Sequence, residues 1–278
     1  MTEPSVTSET PETSQPSDQP PEMKIDPSRA QLLSTNLTSI LTRITTALPP
    51  SRPPPLLVAV SKLKPATDVL ALHSPPHSHL HFGENYYQEL LTKSLLLPRE
   101  IRWHFVGALQ TNKCKPLAEQ VGNLWCVESV DSRKKVEQLE KGREALCQRE
   151  GERESLRVCV QVNTSGEEEK SGVGPGEAAE LCRFVREKCP HLKLRGLMTI
   201  GALARSQETK EGEENEDFVR LREVRDQVVE ELGMKQGELE LSMGMSGDFE
   251  SAVRCGSDEV RVGSTIFGER PPKKEAQI

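Results

Sequence analysis

The sequence predicts a single (β/α)8 barrel, and three observations support this fold class. The chain has 278 residues, which is an ordinary size for one α/β barrel. Eight short apolar runs alternate with helical patterns, as expected for a parallel sheet whose crossovers are helices. Unusual polar residues follow most of these runs, where the active site of a barrel lies. An open, doubly wound sheet is the competing architecture.

The predicted elements begin with an amphipathic helix over 29–48, in which six apolar residues recur at helical spacing: Leu32, Leu33, Leu37, Ile40, Leu41 and Ile44. The predicted strands are 56–62, 79–83, 102–107, 124–130, 157–163, 192–200, 238–244 and 259–263. The predicted crossover helices are 66–73, 84–96, 110–120, 131–149, 175–188, 215–232 and 247–255. The barrel domain is therefore expected to span 29–272.

Two polar segments are expected to lie outside the barrel. Residues 1–28 are rich in Pro, Ser, Thr and Glu, and such a composition cannot offset its ordering entropy by burial. We predict a disordered tail there. The acidic run at 205–217 is expected to be a surface loop inserted between a strand and a helix, with a partner-binding role as the alternative.

Charge and cysteine usage narrow the class of protein. The net charge of −7 argues against a nucleic-acid or anionic-membrane binder, since both need a basic surface. The seven cysteines are an odd number without a CxxC pair, which is typical of a reducing compartment. No apolar run is long enough to cross a bilayer. We therefore predict a location in the cytoplasm, with a mitochondrial location left open. The chain is also expected to be a monomer, although no pattern in the sequence determines its oligomeric state.

Lys62 ends the first predicted strand. Because side chains alternate along a strand, Lys62 shares a face with Val58 and Val60. If those valines face the lumen, Lys62 points to the mouth of the barrel. Partial desolvation there favours the neutral amine, a nucleophile for an aldehyde. A solvated lysine at a strand end is the simpler alternative.

The loops after the seventh and eighth strands predict a phosphate site. Ser246 stands at the expected N-cap of the next helix, and Gly244 lets the backbone approach an anion. Gly263 and Ser264 supply a second set of amides and a hydroxyl in the neighbouring loop. In α/β barrels this pair of loops commonly binds phosphate.

Arg261 shares strand parity with Gly263, which predicts a position at the barrel mouth. An arginine is always charged and cannot accept a proton, so an aromatic nitrogen facing it stays unprotonated. A ring held in this way would be a weakened electron sink.

Seven motifs in chain order give the sequence a family resemblance. They are AVSKLKP, HFGENYYQE, WHFVGALQTNK, VNTSGEEEKSG, LRGLMTIG, LSMGMSGDFESAV and VRVGSTIFGER. Together they resemble the pyridoxal phosphate homeostasis protein family over most of the chain. The motifs depart from the family pattern at Ala108 and Gly247, neither of which is an expected cofactor contact.

The resemblance implies a barrel similar to the N-terminal domain of alanine racemase, with pyridoxal 5′-phosphate (PLP) as cofactor. It implies that Lys62 holds PLP as a Schiff base and that Asn85 lies beside the ring. It further implies Ser246, Gly263 and Ser264 near the phosphate, Arg261 near the pyridine nitrogen, and Lys170 as a cationic neighbour of the pocket. The implied role is to hold PLP in the cell, with PLP-dependent apoenzymes as candidate recipients.

Two other functions remain open from the sequence. A PLP-dependent racemase of this kind would need a second acid/base, usually a tyrosine from an additional domain. The chain ends at Ile278, soon after the eighth predicted strand, and its two tyrosines, Tyr86 and Tyr87, fall at a predicted helix start. We therefore expect no efficient catalysis. The other alternative is a metal protein that uses His77, His79 and His81, although no metal ligand is predicted in the main interpretation.

Overall fold

The structure, a computed structural model, describes residues 23–167, 170–202 and 214–272. Within these residues eight parallel strands are hydrogen-bonded in chain order, and the eighth pairs with the first, so that the sheet closes. The prediction of a (β/α)8 barrel is confirmed, and the open-sheet alternative is wrong.

The strands are short and follow the apolar runs of the sequence. They are β1 (Leu56–Val60), β2 (His81–Glu84), β3 (Arg102–Phe105), β4 (Leu124–Val130), β5 (Leu156–Gln161), β6 (Leu192–Met198), β7 (Glu240–Met245) and β8 (Glu259–Val262).

Nine α-helices lie among the described residues. They are α1 (Pro27–Ala47), α2 (Ala66–His73), α3 (Tyr87–Leu96), α4 (Thr111–Gln120), α5 (Arg133–Glu150), α6 (Ala178–Lys188), α7 (Glu216–Glu231), α8 (Phe249–Arg254) and α9 (Ser264–Phe267). A 3-10 turn at Pro175–Glu177 precedes α6. None of the described helices combines the length and hydropathy that a bilayer crossing requires.

Several predicted strands extend past the observed ends into the polar residues of the rim. The first was predicted to reach residue 62, but β1 ends at Val60. Ser61 N still donates to Gly83 O at 2.9 Å, so the backbone runs beside β2 for one more residue. Lys62 lies beyond this last bond and belongs to the rim.

Helix α1 precedes the barrel and covers the seam between β8 and β1. It packs against α2, α8 and α9. Four of its six regularly spaced apolar residues are buried, namely Leu33, Leu37, Ile40 and Ile44, whereas Leu32 and Leu41 are exposed. Arg29 fixes the helix with a 2.6 Å ion pair to Asp68 and a 2.8 Å hydrogen bond to Phe267 O.

The segments predicted outside the barrel are only partly described. Asp26 caps α1 by accepting from Ser28 N and Arg29 N, so the helix begins at Pro27, inside the predicted tail. Residues 1–22 lie outside the described part. The acidic run falls largely on 203–213, also outside it, and its last residues start a helix, because Asn215 caps α7.

The main core lies between the barrel and its helices. It is one continuous cluster in which Trp103, Phe82, Phe105, Phe218, Phe249 and Phe267 are the largest buried side chains. A small second cluster of Cys126, Cys159 and Met198 packs separately from the main core. The helix side of the sheet is therefore apolar, and the strands that carry it present their other face to the lumen.

Candidate cofactor site at the barrel rim

Lys62 lies two residues beyond the end of β1. A Cβ built on Gly83 of β2 would lie 3.0 Å from Val58 Cγ1 and 3.1 Å from Val60 Cγ2. Both valines therefore lie on the face of the sheet to which a side chain at position 83 would point. That side is the lumen, because His81, two residues before Gly83, belongs to the polar network that crosses the barrel interior (below). Alternation along the strand directs Lys62 to the mouth.

The surroundings of Lys62 lower the pKa of its amine. The side chain is half-buried, and this burial is the main cause that lowers its pKa; the Arg270 guanidinium lowers it further. The carboxylates of Glu84 and Glu89 act in the opposite direction. A lowered pKa increases the fraction of the neutral form, which is the form that attacks a carbonyl carbon.

The rim loops of β7 and β8 are in direct contact. Ser246 Oγ accepts a hydrogen bond from Gly263 N at 3.1 Å. A Cβ on Gly263 would lie 3.1 Å from Val60 O and 3.2 Å from Arg270 Nη2, so only glycine leaves this approach open. Ser264 follows at the exposed start of α9. The predicted phosphate residues, the end of β1 and the Arg270 cation therefore converge on one part of the rim.

The predicted role of Ser246 as an N-cap is wrong. Helix α8 begins at Phe249 and its N-cap residue is Asp248. Asp248 Oδ1 accepts from Met245 N at 2.6 Å and closes the turn that contains Ser246. The serine hydroxyl is thus available to the β8 loop, where it bonds Gly263 N, instead of to a helix terminus.

Arg261 lies lower than the sequence predicts. In the β1–β8 register it pairs with Val58, four residues before Lys62, and its side chain is buried in the lumen. Its guanidinium donates to Thr199 O at 2.8 Å and to Ser242 Oγ at 2.5 Å. The guanidinium is therefore held beneath the rim by groups from β7 and from the residue after β6.

Asn85 follows β2 and carries an unsatisfied acceptor. Its Oδ1 is buried and has no hydrogen-bond partner among the described residues. A Cβ on Gly107, at the end of β3, would lie 2.4 Å from Asn85 O, so that glycine is needed for the Asn85 turn. Asn85 also lines a cavity of about 810 Å³, together with Leu63 and Phe105. A buried acceptor beside a cavity is an atom that a bound group can satisfy.

Two further lysines lie at the rim. Lys170 Nζ donates to Gly201 O at 2.8 Å and lines a cavity of about 230 Å³ at the ends of β5 and β6. Lys64 is buried, and its Nζ donates to Glu269 O at 2.5 Å. Lys64 thereby ties the rim of β1 to the segment that carries Arg270.

The lumen beneath the rim contains a charged network that the sequence analysis did not predict. We call it the Arg261 network, and its members are His81, His104, Glu128, Arg195, Ser242, Glu259 and Arg261. His104 lies 2.9 Å from His81 and 2.7 Å from Glu128. Ser242 Oγ lies 2.8 Å from Glu128 Oε2 and 2.9 Å from Glu259 Oε1, and it can donate its one proton to either carboxylate. Arg195 pairs with Glu259, so that polar and charged side chains from six strands form one connected set.

Both histidines of this network are neutral. Burial lowers the pKa of His104 to about 3 and that of His81 to about 2. His104 lies close enough to Cys126 and Glu128 to share an ion with them. Both of its ring nitrogens are already hydrogen-bonded, however, so the ring serves the network.

The metal alternative built on His77, His79 and His81 is wrong. His77 Nε2 contacts a hydroxyl of α1 at 2.8 Å, and His79 Nε2 contacts His81 O at 2.9 Å. His81 itself turns into the lumen toward His104. The three rings therefore have separate partners and do not converge on one ion.

Comparison with known proteins defines the class to which this barrel belongs. Residues 36–271 match the family described as alanine racemase, N-terminal domain. A curated relative from Schizosaccharomyces pombe is 45% identical over 223 residues, which cover 80% of this chain and 87% of the relative. A human relative is 44% identical over 226 residues, covering 80% of this chain and 78% of the relative. Both are named pyridoxal phosphate homeostasis protein.

A solved structure agrees with this result. PipY of Synechococcus elongatus PCC7942, determined with PLP bound, superposes with a TM-score of 0.63 at 28% identity. The match covers 85% of this chain and 100% of PipY. This chain belongs to the pyridoxal phosphate homeostasis protein family and carries the alanine racemase N-terminal domain.

Proposed function

We propose that this chain binds PLP at the β1–β8 rim and holds it as part of intracellular PLP homeostasis. The Lys62 amine would hold the cofactor as a Schiff base, in which C=N replaces the C=O bond of the aldehyde and the oxygen leaves as water. The observation that carries the proposal is the convergence of the half-buried Lys62 amine with the Ser246–Gly263 contact and the Arg270 cation. The names of the curated relatives and the PLP-bound PipY structure support the same function.

The residues at the rim fit a phosphorylated pyridine aldehyde. Ser246, Gly263 and Ser264 would hold the phosphate, where a hydroxyl and backbone amides are close and a side chain at Gly263 would obstruct the space. Asn85 would lie beside the ring. The bound cofactor would then occupy the space next to the unsatisfied Asn85 Oδ1. PLP, when bound, supplies an aldehyde that reacts reversibly with amines and a ring that withdraws electrons.

We propose that the bound cofactor is not used for efficient amino-acid turnover. Arg261 cannot accept a proton and disfavours protonation of a nearby ring nitrogen, which weakens the ring as an electron sink. Both tyrosines line the cavity beside Asn85, and the Tyr87 hydroxyl is donated to Gln120 of α4. The alternative, a PLP-dependent racemase, would need an acid/base that contacts a substrate at the rim.

The test is to add PLP to the purified chain, record the visible absorption of the Schiff base, reduce it with borohydride and map the modified lysine by mass spectrometry. We expect the adduct on Lys62. Lys62→Ala should lose the adduct while weak binding through the phosphate contacts remains. Lys170→Ala, the matched rim control, should keep the adduct on Lys62. Loss of the adduct in the control alone, or rapid alanine racemisation by the wild type, would contradict the proposal.

Release of the cofactor, oligomeric state and location in the cell are further parts of the proposed function. Because a Schiff base is reversible, we propose that the holo-protein releases PLP to PLP-dependent apoenzymes. We also propose a monomer in the cytoplasm, with mitochondria as the alternative location. Sedimentation, fractionation of cells that express the tagged chain, and activation of an apoenzyme by the holo-protein would test these three statements in turn.

A further inference from the structure

A buried lysine with two carboxylates contacts the residues on either side of Lys62. Lys93, on α3, is fully buried. Its Nζ is 2.7 Å from Glu84 Oε1 and 2.7 Å from Glu89 Oε1. The same ammonium donates to the backbone carbonyl of Ser61 at 2.9 Å. We call Lys93, Glu84, Glu89 and Ser61 the Lys93 cluster.

The Lys93 cluster holds the backbone on both sides of Lys62. On one side, Lys93 binds Ser61 O, and Ser61 Oγ donates to Glu84 at 2.7 Å. On the other side, Glu89 Oε1 accepts from Leu63 N at 2.6 Å. Leu63 adopts φ 61°, a left-handed conformation that a leucine rarely takes without support from its surroundings. The backbone bend next to Lys62 is therefore fixed by the side chains of Glu84, Glu89 and Lys93.

We propose that the Lys93 cluster is a positioning device for Lys62, in which Glu89 and Lys93 fix the bend at Leu63 and the carboxylates set the charge around the amine. This inference rests on the proposed function of Lys62. Glu89 also lines the cavity beside Asn85, and the role inferred for it here is the hydrogen bond that it accepts from Leu63 N. Glu84, Glu89 and Lys93 act through Lys62 and are positioning residues.

The pKa of the Lys62 amine depends on the charged groups that face it. Burial and Arg270 lower the pKa of Lys62, whereas Glu84 and Glu89 raise it. The cluster has two carboxylates for one ammonium. Its carboxylates therefore oppose the lowering of the Lys62 pKa without cancelling it. Removal of one carboxylate charge should make the Lys62 amine less basic.

A purely structural role would not need this arrangement. Apolar side chains of similar volume can fill a buried site without the desolvation of three charges. Burial raises the pKa of Glu84, to about 7, and its Oε2 has no partner among the described residues. The contacts of the cluster go instead to the two residues that flank Lys62. This pattern is expected when the position of Lys62 is what the cluster maintains.

Two substitutions at Glu89 separate position from charge. Glu89→Gln keeps an oxygen that can accept from Leu63 N and removes the charge, whereas Glu89→Ala removes both. Glu140 offers matched controls, because it also accepts a backbone N–H, from His191, and bonds that ring at 2.6 Å. It lies on α5, and His191 precedes β6, at the opposite end of the barrel from the rim.

The first measurement needs no cofactor. The rate of acetylation of Lys62 in the cofactor-free chain is followed against pH by mass spectrometry. For Glu89→Gln we expect the midpoint to move to lower pH, with acetylation about threefold faster below the midpoint for a shift of about half a pH unit. Glu140→Gln should leave the Lys62 profile unchanged.

The second measurement is PLP binding. Glu89→Ala should weaken the apparent affinity about tenfold, since one hydrogen bond to a charged group is lost at the bend. Glu89→Gln should weaken it less, and Glu140→Ala should leave it unchanged. Circular dichroism establishes that each variant is folded, and if Glu89→Ala fails to fold, Glu89→Gln still decides the acetylation test.

The outcomes distinguish this inference from the proposed function. Wild-type acetylation and affinity in both Glu89 variants, or equal changes in the Glu140 controls, would overturn the positioning role. If the wild-type chain forms no adduct at Lys62, the proposed function fails. The acetylation profile would then still show whether the cluster controls the Lys62 amine.

Discussion

Two buried sets of charges support the two sides of the rim, and they differ in how completely they are satisfied. The Lys93 cluster, which contacts the two residues that flank Lys62, has one ammonium for two carboxylates. Glu84 Oε2 has no partner among the described residues. The Arg261 network, in the lumen, has two guanidinium groups for two carboxylates. Neutral histidines and the Ser242 hydroxyl connect these charges.

This difference matches the chemistry that each side has to support. Lys62 must lose a proton to react with an aldehyde and regain one on release, so its surroundings have to tolerate both charge states. Arg261 keeps its charge, so a closed network can surround it. The comparison suggests that the amine side is adjustable and that the guanidinium side is rigid.

The largest expected effect comes from the removal of one cation from each set. Arg195→Met leaves Glu259 buried without its closest partner, and Lys93→Met leaves Glu84 and Glu89 without theirs. Each should lower the free energy of unfolding by about 3–5 kcal/mol, the usual result of breaking a buried ion pair. Urea unfolding checks this, with Arg133→Met as the control.

Arg133 is an exposed arginine paired with Glu137, so its replacement should cost no more than about 1 kcal/mol. An equally small loss in Arg195→Met would mean that the Arg261 network does not stabilise the barrel. A small loss in Lys93→Met alone would mean that the two sets are not comparable.

The next prediction concerns pH and tests the rigidity of the Arg261 network. Burial lowers the pKa of His104 to about 3, well below 6.5. The unfolded chain therefore binds a proton that the folded chain excludes, and stability is lost as pH falls from about 6.5 toward 3. The slope is about 1.4 kcal/mol per pH unit for one such group.

His104→Gln removes this titration and should flatten the slope between pH 6 and pH 4.5 by about that amount. Urea unfolding of both proteins at several pH values is the measurement. Only the slope is compared, because the substitution changes contacts at every pH. Parallel curves for the two proteins would show that the ring titrates normally in the folded state.

A smaller effect is expected from a single hydroxyl. Ser242 Oγ links Glu128, Glu259 and Arg261, so Ser242→Ala should cost about 1–3 kcal/mol. Ser129 is equally buried, but its hydroxyl has no partner among the described residues. Ser129→Ala should therefore be neutral or slightly stabilising, which makes it the matched control. Equal losses in the two variants would indicate a packing effect, unrelated to the network.

The outer layer of the protein could be predicted from the sequence. Apolar runs of strand length and helical spacing depend on local periodicity, and they gave the correct fold and element order. Apart from Arg261, which lies lower, residues predicted at the mouth converge there, because the ends of parallel strands meet at one edge. Ser246, Gly263 and the end of β1 are examples.

The inner layer could not be predicted in the same way. Register shifts occur between β3 and β4, β4 and β5, β5 and β6, and β7 and β8, and each one obscures which side chains face the lumen. A signal existed on β8, where Glu259 shares parity with Arg261. Lys93 gave none, because a lysine on an amphipathic helix is usually solvated, and its burial depends on carboxylates from β2 and α3.

The smallest expected change in the free energy of unfolding is at Lys62, which is compared with Lys93 in the same region. Lys62→Met should change the free energy of unfolding of the cofactor-free chain by no more than about 0.5 kcal/mol. We expect a slight stabilisation, since burial and Arg270 both disfavour the Lys62 ammonium. The same substitution at Lys93 removes the ammonium that pairs with two buried carboxylates. Urea unfolding of the two variants side by side tests this contrast, and a loss of more than about 2 kcal/mol at Lys62 would assign that lysine to the folded framework.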